Sequence, residues 1–476
     1  MEPTTPPPQS NKSVELIQNL TAGLTVSFVA ISLGAAFGVL SGRGAFAGIL
    51  SAGVIAFITA LFGGTRIQCS GPTAPMTAVT VLLVAFAGDQ LLTQLPQADT
   101  NRFINMVLVL TGGIMVLAAL LRLGRFIMLV PKTVISGFMN GIAILIWVDQ
   151  VKKLFGLGGK DQIEGPLAIN LGVAVCTLVL VFVVPRLVKS YLPKARLLFP
   201  GTIVAIVLMT CTVQLLKWDI QFITLNEQLT SIDDLTALVS DNLPNQWSWD
   251  LILLGLPFAA QLAMLAYLDS LLTALVVDKK LKEKTGSTER TNQNRELAAQ
   301  GVANAAVSLF GGIPGAQATI RSVLILNENA TLRLAGVSVG VFVAIEMVLF
   351  QGYLNLIPQA VFTGILFKVG YDVFDWPPVV AYLKGFGGAG LPGGDRVPQA
   401  TGLQVAHWDM LFIGGTALVT LLVNLNVAVI SFTVLFYLIR LATPLPDLHV
   451  QEETGDPGSP ASARSRERET SDSGLE

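Results

Sequence analysis

Asp269 is the lone ionisable carboxylate deep inside the long apolar stretch 251 to 277, L-I-L-L-G-L-P-F-A-A-Q-L-A-M-L-A-Y-L-D-S-L-L-T-A-L-V-V. An acid at the centre of a bilayer costs on the order of 3 kcal/mol on insertion scales, so its presence needs a reason. Thr273 follows four residues later, which places its hydroxyl and the carboxylate on one face of a helix. Together they offer hard oxygen ligands of the type a small cation takes, with sodium the natural candidate. A proton carried by the carboxyl is the competing cation, and the plainest alternative is a hydrogen bond to a neighbouring helix.

A second chemical signal is a pair of broken segments, C-S-G-P-T-A-P-M-T at 69 to 77 and G-G-I-P-G-A-Q-A-T at 311 to 319. Bare backbone in hydrocarbon survives only against protein or a water-filled cavity. Residues 63 to 72 and 311 to 314 read as extended segments, each handing over to a short helix that begins near Pro72 to Pro75 or near Pro314, because proline suits a first helical turn. A helix N-terminus presents free N–H groups and roughly half a positive charge, which favours an anion. Two such ends facing each other supply about one unit of positive charge without a lysine or arginine. The flanking residues are small or polar: Ser70, Gly71, Thr73 and Ala74 in one segment, and Gly315, Ala316, Ala318 and Thr319 in the other. Small side chains let a ligand reach the backbone. Prolines in membrane helices also serve as simple kinks, but two at matched positions of a repeat favour a ligand site. Arg321 either supports that anion electrostatically, pairs with a carboxylate or faces an aqueous vestibule. Glu346 and Lys368 are structural partners or pathway residues, and these three charges are assigned no role.

The elements that must position these groups are apolar helices. With 476 residues, 52% hydrophobic and 13% charged, the chain carries too little charge for an ordinary soluble domain. Runs near the hydrocarbon thickness give about fourteen candidate spans, so the expected fold class is an all-α membrane protein. The segment 185 to 199 and the segment 278 to 296 are rich in lysine and arginine, whereas 217 to 250 holds one basic residue against six acids. By the positive-inside rule the first two are cytoplasmic and the third is outside, and an even span count puts both termini in the cytoplasm.

V-P-K-T-V-I-S-G-F-M-N-G at 130 to 141 matches I-P-Q-A-V-F-T-G-I-L-F-K at 357 to 368, with a proline and a glycine six residues later in both. The two broken segments recur at a similar offset. Seven spans followed by seven more make the second half upside down relative to the first, the inverted-repeat plan of secondary transporters, in which the third and tenth spans are half-helices meeting near the midplane. The polar, Pro-rich residues 1 to 19 contain no removable signal peptide pattern. The Gly/Pro-rich stretch 384 to 404 reads as a flexible cytoplasmic loop, and 444 to 476 reads as a disordered cytoplasmic tail. Cys69, Cys176 and Cys211 are scattered, as small buried hydrophobes rather than a disulfide framework. Two histidines and no nucleophile-base pattern argue against an enzyme, and no feature points to a cofactor or a nucleic-acid partner.

These residues resemble the sulfate permease (SulP) anion transporters over roughly 15 to 443. The resemblance is carried by N-L-T-A-G-L-T-V, A-L-F-G-G-T-R-I-Q-C-S-G-P-T-A-P-M-T, V-I-S-G-F-M-N-G-I-A-I-L-I and L-F-G-G-I-P-G-A-Q-A-T-I-R-S. Within that family, L-D-S-L-L-T-A-L-V-V-D, P-T-A-P-M-T and K-V-G-Y-D-V-F-D-W are most similar to the BicA-type sodium-dependent bicarbonate transporters. The resemblance implies sodium held by Asp269 and Thr273 with Ala318 and Thr319, and an anion beside Thr73 and Ala74 and the start of the tenth span at Gly315, Ala316 and Gln317. It also implies a core domain in two parts, 20 to 122 and 251 to 352, moving against a gate domain formed by 123 to 220 and 353 to 443, with 221 to 250 as an extracellular loop. A homodimer in the cell membrane (the inner membrane of a bacterium) is the usual assembly. Two departures stand out. Relatives commonly end in a STAS domain, whereas 36 residues follow Arg440 here, so a STAS domain and regulation through it are not expected. Gln317 stands where relatives usually have glycine, and a glutamine there either donates to the anion or occupies its space. The reading is a sodium-coupled symporter of a small inorganic anion with bicarbonate favoured. Sulfate or another oxyanion, moved by proton coupling or exchange, and an anion channel on the same fold are the alternatives.

Overall fold

The computed structural model describes residues 12–125, 131–157, 162–191, 201–223, 232–286, 289–328, 330–386, 403–405, 407–423, 425–442 and 449–450. The residues before 12, most of the Gly/Pro-rich loop and nearly all of the tail lie outside the described residues. The first half runs α1 (Lys12–Ser41), α2 (Gly44–Phe62), β1 (Ser70–Gly71), α3 (Ala74–Phe86), a π-helical turn (Ala87–Leu91), α4 (Leu92–Gln94), α5 (Thr100–Leu120), α6 (Lys132–Phe155), α7 (Leu167–Tyr191) and α8 (Gly201–Leu216). After α9 (Ile232–Asn242) come α10 (Trp249–Thr285), α11 (Gln293–Ser308), β2 (Ala316–Gln317), α12 (Thr319–Asn327), α13 (Leu334–Leu354), α14 (Gln359–Val373), α15 (Trp376–Phe386), α16 (His407–Leu422) and α17 (Leu425–Ala442).

A helix underlies every one of the expected spans, and among the described residues eight helices are long and apolar enough to cross a membrane. The helices α8, α16 and most of α17 are apolar but shorter. Neither α11, of 16 residues, nor α12, of 9, has the length of a spanning helix, and the polar Glu296, Gln300, Asn304 and Arg321 they carry are buried within the protein.

The chain divides into two compact units. The first comprises residues up to Leu129 and Ile142–Val373. Its centre is a packed group of α1, α2, α5, α11 and α13, brought close by small residues, as membrane helices require in the absence of a hydrophobic drive between them. A Cβ added to Gly48 would lie 1.9 Å from the Gly34 carbonyl oxygen, and one on Gly301 2.7 Å from that of Gly112. The second unit comprises Val130–Gly141 and the chain from Phe374. There Phe412 of α16 stacks edge-on against Phe432 and Phe436 of α17, with ring centroids 6.0 and 5.5 Å away. At its start, the Asn140 carboxamide oxygen accepts from the Asp375 N–H at 2.7 Å.

The sequence repeat has a local structural counterpart. Pro131 and Pro358 each precede a helix start, at α6 and α14, and accept from the N–H groups of Val134 and Val361, respectively. Six residues on, a Cβ on Gly137 would meet the Ile413 carbonyl oxygen at 2.5 Å and Thr416 Cβ at 2.7 Å, while one on Gly364 would meet the Ala174 carbonyl oxygen at 2.4 Å and Thr177 Cβ at 2.7 Å. In both halves the same glycine packs against an apolar residue and a threonine three positions apart. Of the cysteines, Cys69 is buried, whereas Cys176 and Cys211 are exposed on α7 and α8. This corrects the expectation of three buried thiols: the outer faces of apolar helices accept a small soft side chain as readily as a core does.

Candidate functional site

The two broken segments meet. Gly63 closes α2 by donating to the Thr59 carbonyl at 2.7 Å; the chain then bends through residues 64–67 before it reaches β1, which corrects the expectation of an extended segment from residue 63. Strands β1 and β2 pair antiparallel, Ser70 opposite Gln317 and Gly71 opposite Ala316, and the Ala318 N–H donates to the Cys69 carbonyl at 3.1 Å. All four strand residues are buried, so the short ladder satisfies backbone groups that neither water nor a helix reaches. The approach is tight enough to exclude a side chain: a Cβ on Gly315 would sit 2.3 Å from both the carbonyl carbon and oxygen of Gly71. Gly71 itself has φ of 151°, and a Cβ there would lie 2.8 Å from Arg321 Nη1.

Immediately beyond the ladder both chains turn helical. Thr73, in extended conformation, caps α3, and Pro75 lies in its first turn. Ala318, also extended, caps α12. Neither cap supplies a side-chain hydrogen bond to its helix, which leaves first-turn N–H groups for another acceptor. The position of Pro314 corrects the sequence reading: α12 starts at Thr319, not near the proline. Asn304 holds Gly315 through both its N–H and its C=O, and β2 pairing keeps residues 316 and 317 extended.

The long helix α10 lies against β2 and α12. Ser270 Oγ accepts from the Gln317 N–H at 3.2 Å. Thr273 Oγ1 and Thr319 Oγ1 are 2.6 Å apart and share a hydrogen bond. Asp269 is half-buried, and the Thr73 hydroxyl neighbours its carboxylate. Asp269 Oδ2 and Thr73 Oγ1 are nevertheless buried without a hydrogen-bond partner. Gln317, fully buried, accepts on Oε1 from Thr65 Oγ1 at 3.4 Å, while its Nε2 has no partner.

Arg321, at 1% exposure the largest fully buried side chain among the described residues, donates from Nη2 to the Pro72 carbonyl at 2.9 Å. Its Nε and Nη1 have no partner, and its charge lies within electrostatic range of Asp269. Thus Thr73, Asp269, Thr273, Gln317, Thr319 and Arg321 converge, with Ala74 and Ala316 buried beside them as small residues that occupy little space. Of the charges left without a role, Arg321 belongs to this group. Glu346 instead pairs with Ser27 Oγ at 2.7 Å, and Lys368 forms an ion pair with Asp372 and lies 4.9 Å from the Phe182 ring centroid.

Sequence reasoning missed the polar face of α11. Glu296, Gln300 and Asn304 are all fully buried. The signal was present: in E-L-A-A-Q-G-V-A-N the three polar residues recur every fourth position, one stripe of a helix. Asn304 Nδ2 donates to the Gly315 carbonyl at 2.9 Å while its Oδ1 accepts from the Gly315 N–H at 2.8 Å. Gln300 Nε2 donates to Ser70 Oγ at 2.6 Å and to Glu296 Oε1 at 2.9 Å. Glu296 Oε2 accepts from the Thr65 N–H at 2.9 Å and from Gln68 Nε2 at 3.1 Å. Among the described residues no group of three or more His, Cys, Asp or Glu is arranged to hold a metal ion.

Known proteins resemble this chain over most of its length. The model of the sulfate permease family matches residues 16–386. The bicarbonate transporter BicA of Picosynechococcus sp. is 31% identical over 425 residues, covering 86% of this chain and 68% of that protein. A putative sulfate transporter of Bacillus subtilis, YvdB, is 26% identical over 453 residues, covering 91% of this chain and 76% of its own. The solved transmembrane domain of a cyanobacterial BicA superposes with a TM-score of 0.69 at 28% identity, covering 87% of this chain and 97% of that one.

Proposed function

The chain belongs to the sulfate permease family of multi-pass membrane anion transporters, and from that premise we propose that it is a sodium-coupled symporter of a small inorganic anion, with bicarbonate favoured. The observation that carries the reading is the convergence at one buried ladder. Two helices begin there with uncapped N-termini, and an unpartnered carboxylate oxygen and hydroxyl lie beside them. The anion lies beside Thr73, Ala74, Gly315, Ala316 and Gln317, facing the starts of α3 and α12 and within the field of Arg321. Sodium takes oxygens of Asp269, Thr273, Ala318 and Thr319. A cation there offsets the Asp269 charge beside the anion, so each ion strengthens the binding of the other, which is the thermodynamic content of coupling.

On this proposal the fourteen segments form a 7+7 inverted repeat in the membrane, the third and tenth as half-helices meeting near the midplane, with both termini cytoplasmic. The matched packing of Gly137 and Gly364 supports that symmetry. Spans one to four and eight to eleven form a core that carries the ions past a gate of the other six, in an elevator-like movement and as a homodimer in the cell membrane. Sulfate is the second reading, favoured by the similarity to a putative sulfate transporter and by the buried, unpartnered Gln317 Nε2, which can donate to an added oxyanion oxygen. Labelled-anion uptake into proteoliposomes, with and without an inward sodium gradient and with bicarbonate and sulfate in competition, tests the proposal. Sodium-stimulated uptake blocked best by bicarbonate is the expected result; uptake indifferent to sodium overturns the coupling, and stronger block by sulfate overturns the substrate.

A further inference from the structure

We infer that the buried polar face of α11 is the positioning element of the anion site, with Asn304 holding the second broken segment and Gln300 and Glu296 the first; as a statement about transport, this rests on the reading above. The three side chains sit at four-residue steps along one helix face, about 6 Å apart per step. Each step meets a different part of the broken chain. Asn304 pairs with Gly315 as one peptide pairs with another, donating at 2.9 Å and accepting at 2.8 Å. Its side-chain amide therefore acts as a one-residue extension of the ladder just before β2. A Cβ on Gly315 would lie 2.3 Å from the Gly71 carbonyl and 2.8 Å from Pro72 N, so wherever Asn304 holds Gly315, the crossing of the two segments is set.

At the next step Gln300 holds Ser70 by its side chain at 2.6 Å, in β1 itself. At the third, Glu296 holds the approach to β1 through the Thr65 N–H and Gln68. An apolar residue in its place would leave the Thr65 N–H buried without that acceptor and take one of two acceptors from the Gln68 amide, which also donates to the Thr59 carbonyl, and an unmade buried bond costs more than a made one contributes. The helix that carries the three is itself fixed, since Gly301 of α11 and Gly112 of α5 touch backbone to backbone. None of the three is among the residues proposed to touch an ion. They act through the segments they hold.

The test uses the full-length protein with two shape-conserving variants, Asn304→Leu and Gln300→Met, read by hydrogen-deuterium exchange and by labelled-bicarbonate uptake. Asn304→Leu should speed exchange in peptides covering 311–318 and leave those covering 63–73 near wild type. Gln300→Met should do the reverse. A generally destabilised protein would loosen both segments in both variants. Gln300→Met, which loses one buried hydrogen bond to its segment, should raise the KM for the anion roughly tenfold, and Asn304→Leu, which loses two, at least as much, with the maximal rate retained. If Asn304→Leu does not accumulate, Gln300→Met carries the same test on its own segment. Unchanged exchange in the addressed segment overturns the inference, as does equal loosening of both or a loosened segment with wild-type KM. Wild-type protein that takes up no anion defeats the transport reading instead, and the exchange pattern still decides whether α11 positions the segments.

Discussion

Gly315→Ala is the smallest change that should separate the two helix N-termini. The added methyl carbon would stand 2.3 Å from both the carbonyl carbon and oxygen of Gly71 and 2.8 Å from Pro72 N. Ordinary contact between non-bonded carbons is about 3.5 to 4.0 Å, so at least about 1 Å of separation must open. The obstruction is backbone and has no rotamer to change. Residue 315 cannot retreat freely either, because Asn304 grips its N–H and C=O on the other side. Overpacking of this kind typically costs about 1 to 3 kcal/mol, and a 1 Å displacement at a binding centre can lower turnover by about a hundredfold. We expect the thermal midpoint of the purified protein to fall and the KM for labelled bicarbonate, in proteoliposomes with an inward sodium gradient, to rise tenfold or more. Gly113→Ala in α5 and Gly352→Ala in α13 are internal controls, since a Cβ at either meets nothing within 4 Å, and alanine favours a helix. Wild-type KM and stability in Gly315→Ala would refute the argument that the close crossing shapes the site.

Asp269→Ala should abolish sodium stimulation of uptake while the protein still reaches the membrane, measured as uptake against sodium concentration; full sodium stimulation would contradict the cation role. Gln317→Gly removes the unpartnered Nε2 donor and should shift the ratio of bicarbonate to sulfate competition, so an unaltered competition profile would count against its contact with the anion. Asp375, in the link between α14 and α15, has its carboxyl raised above the ordinary range by burial. Its protonated form is thus favoured in the folded state, and its contribution to stability declines as pH rises from the ordinary carboxylate range through the folded value. Asp375→Asn should therefore flatten the pH dependence of the thermal midpoint above about pH 4 and raise it at neutral pH; a parallel pH profile in the variant would refute this.

Much of the architecture is legible in the linear chain because apolar run length answers directly to hydrocarbon thickness. The repeat is legible because Pro131 with Gly137, and Pro358 with Gly364, serve the same local purposes in both halves: a helix start and a close helix contact. Asp269 and Thr273 could be singled out because an acid among leucines is costly wherever the helix goes. The start of α12 was misplaced because proline reports only on its own φ and missing N–H, whereas residues 315 to 317 are kept extended by Asn304 and by Ser70 and Gly71, which are distant in sequence.

What the sequence determined by itself is the set of membrane-compatible helices, the repeat and the residues too polar to face lipid, since each depends on the transfer energy of nearby side chains. Only the tertiary structure decided that the two broken segments pair at Ser70 with Gln317 and Gly71 with Ala316, that Arg321 is buried behind Pro72, and that α11 grips both segments. Those contacts join residues far apart in the chain, and their partners are selected by which buried backbone groups would otherwise go unsatisfied once the helices have packed.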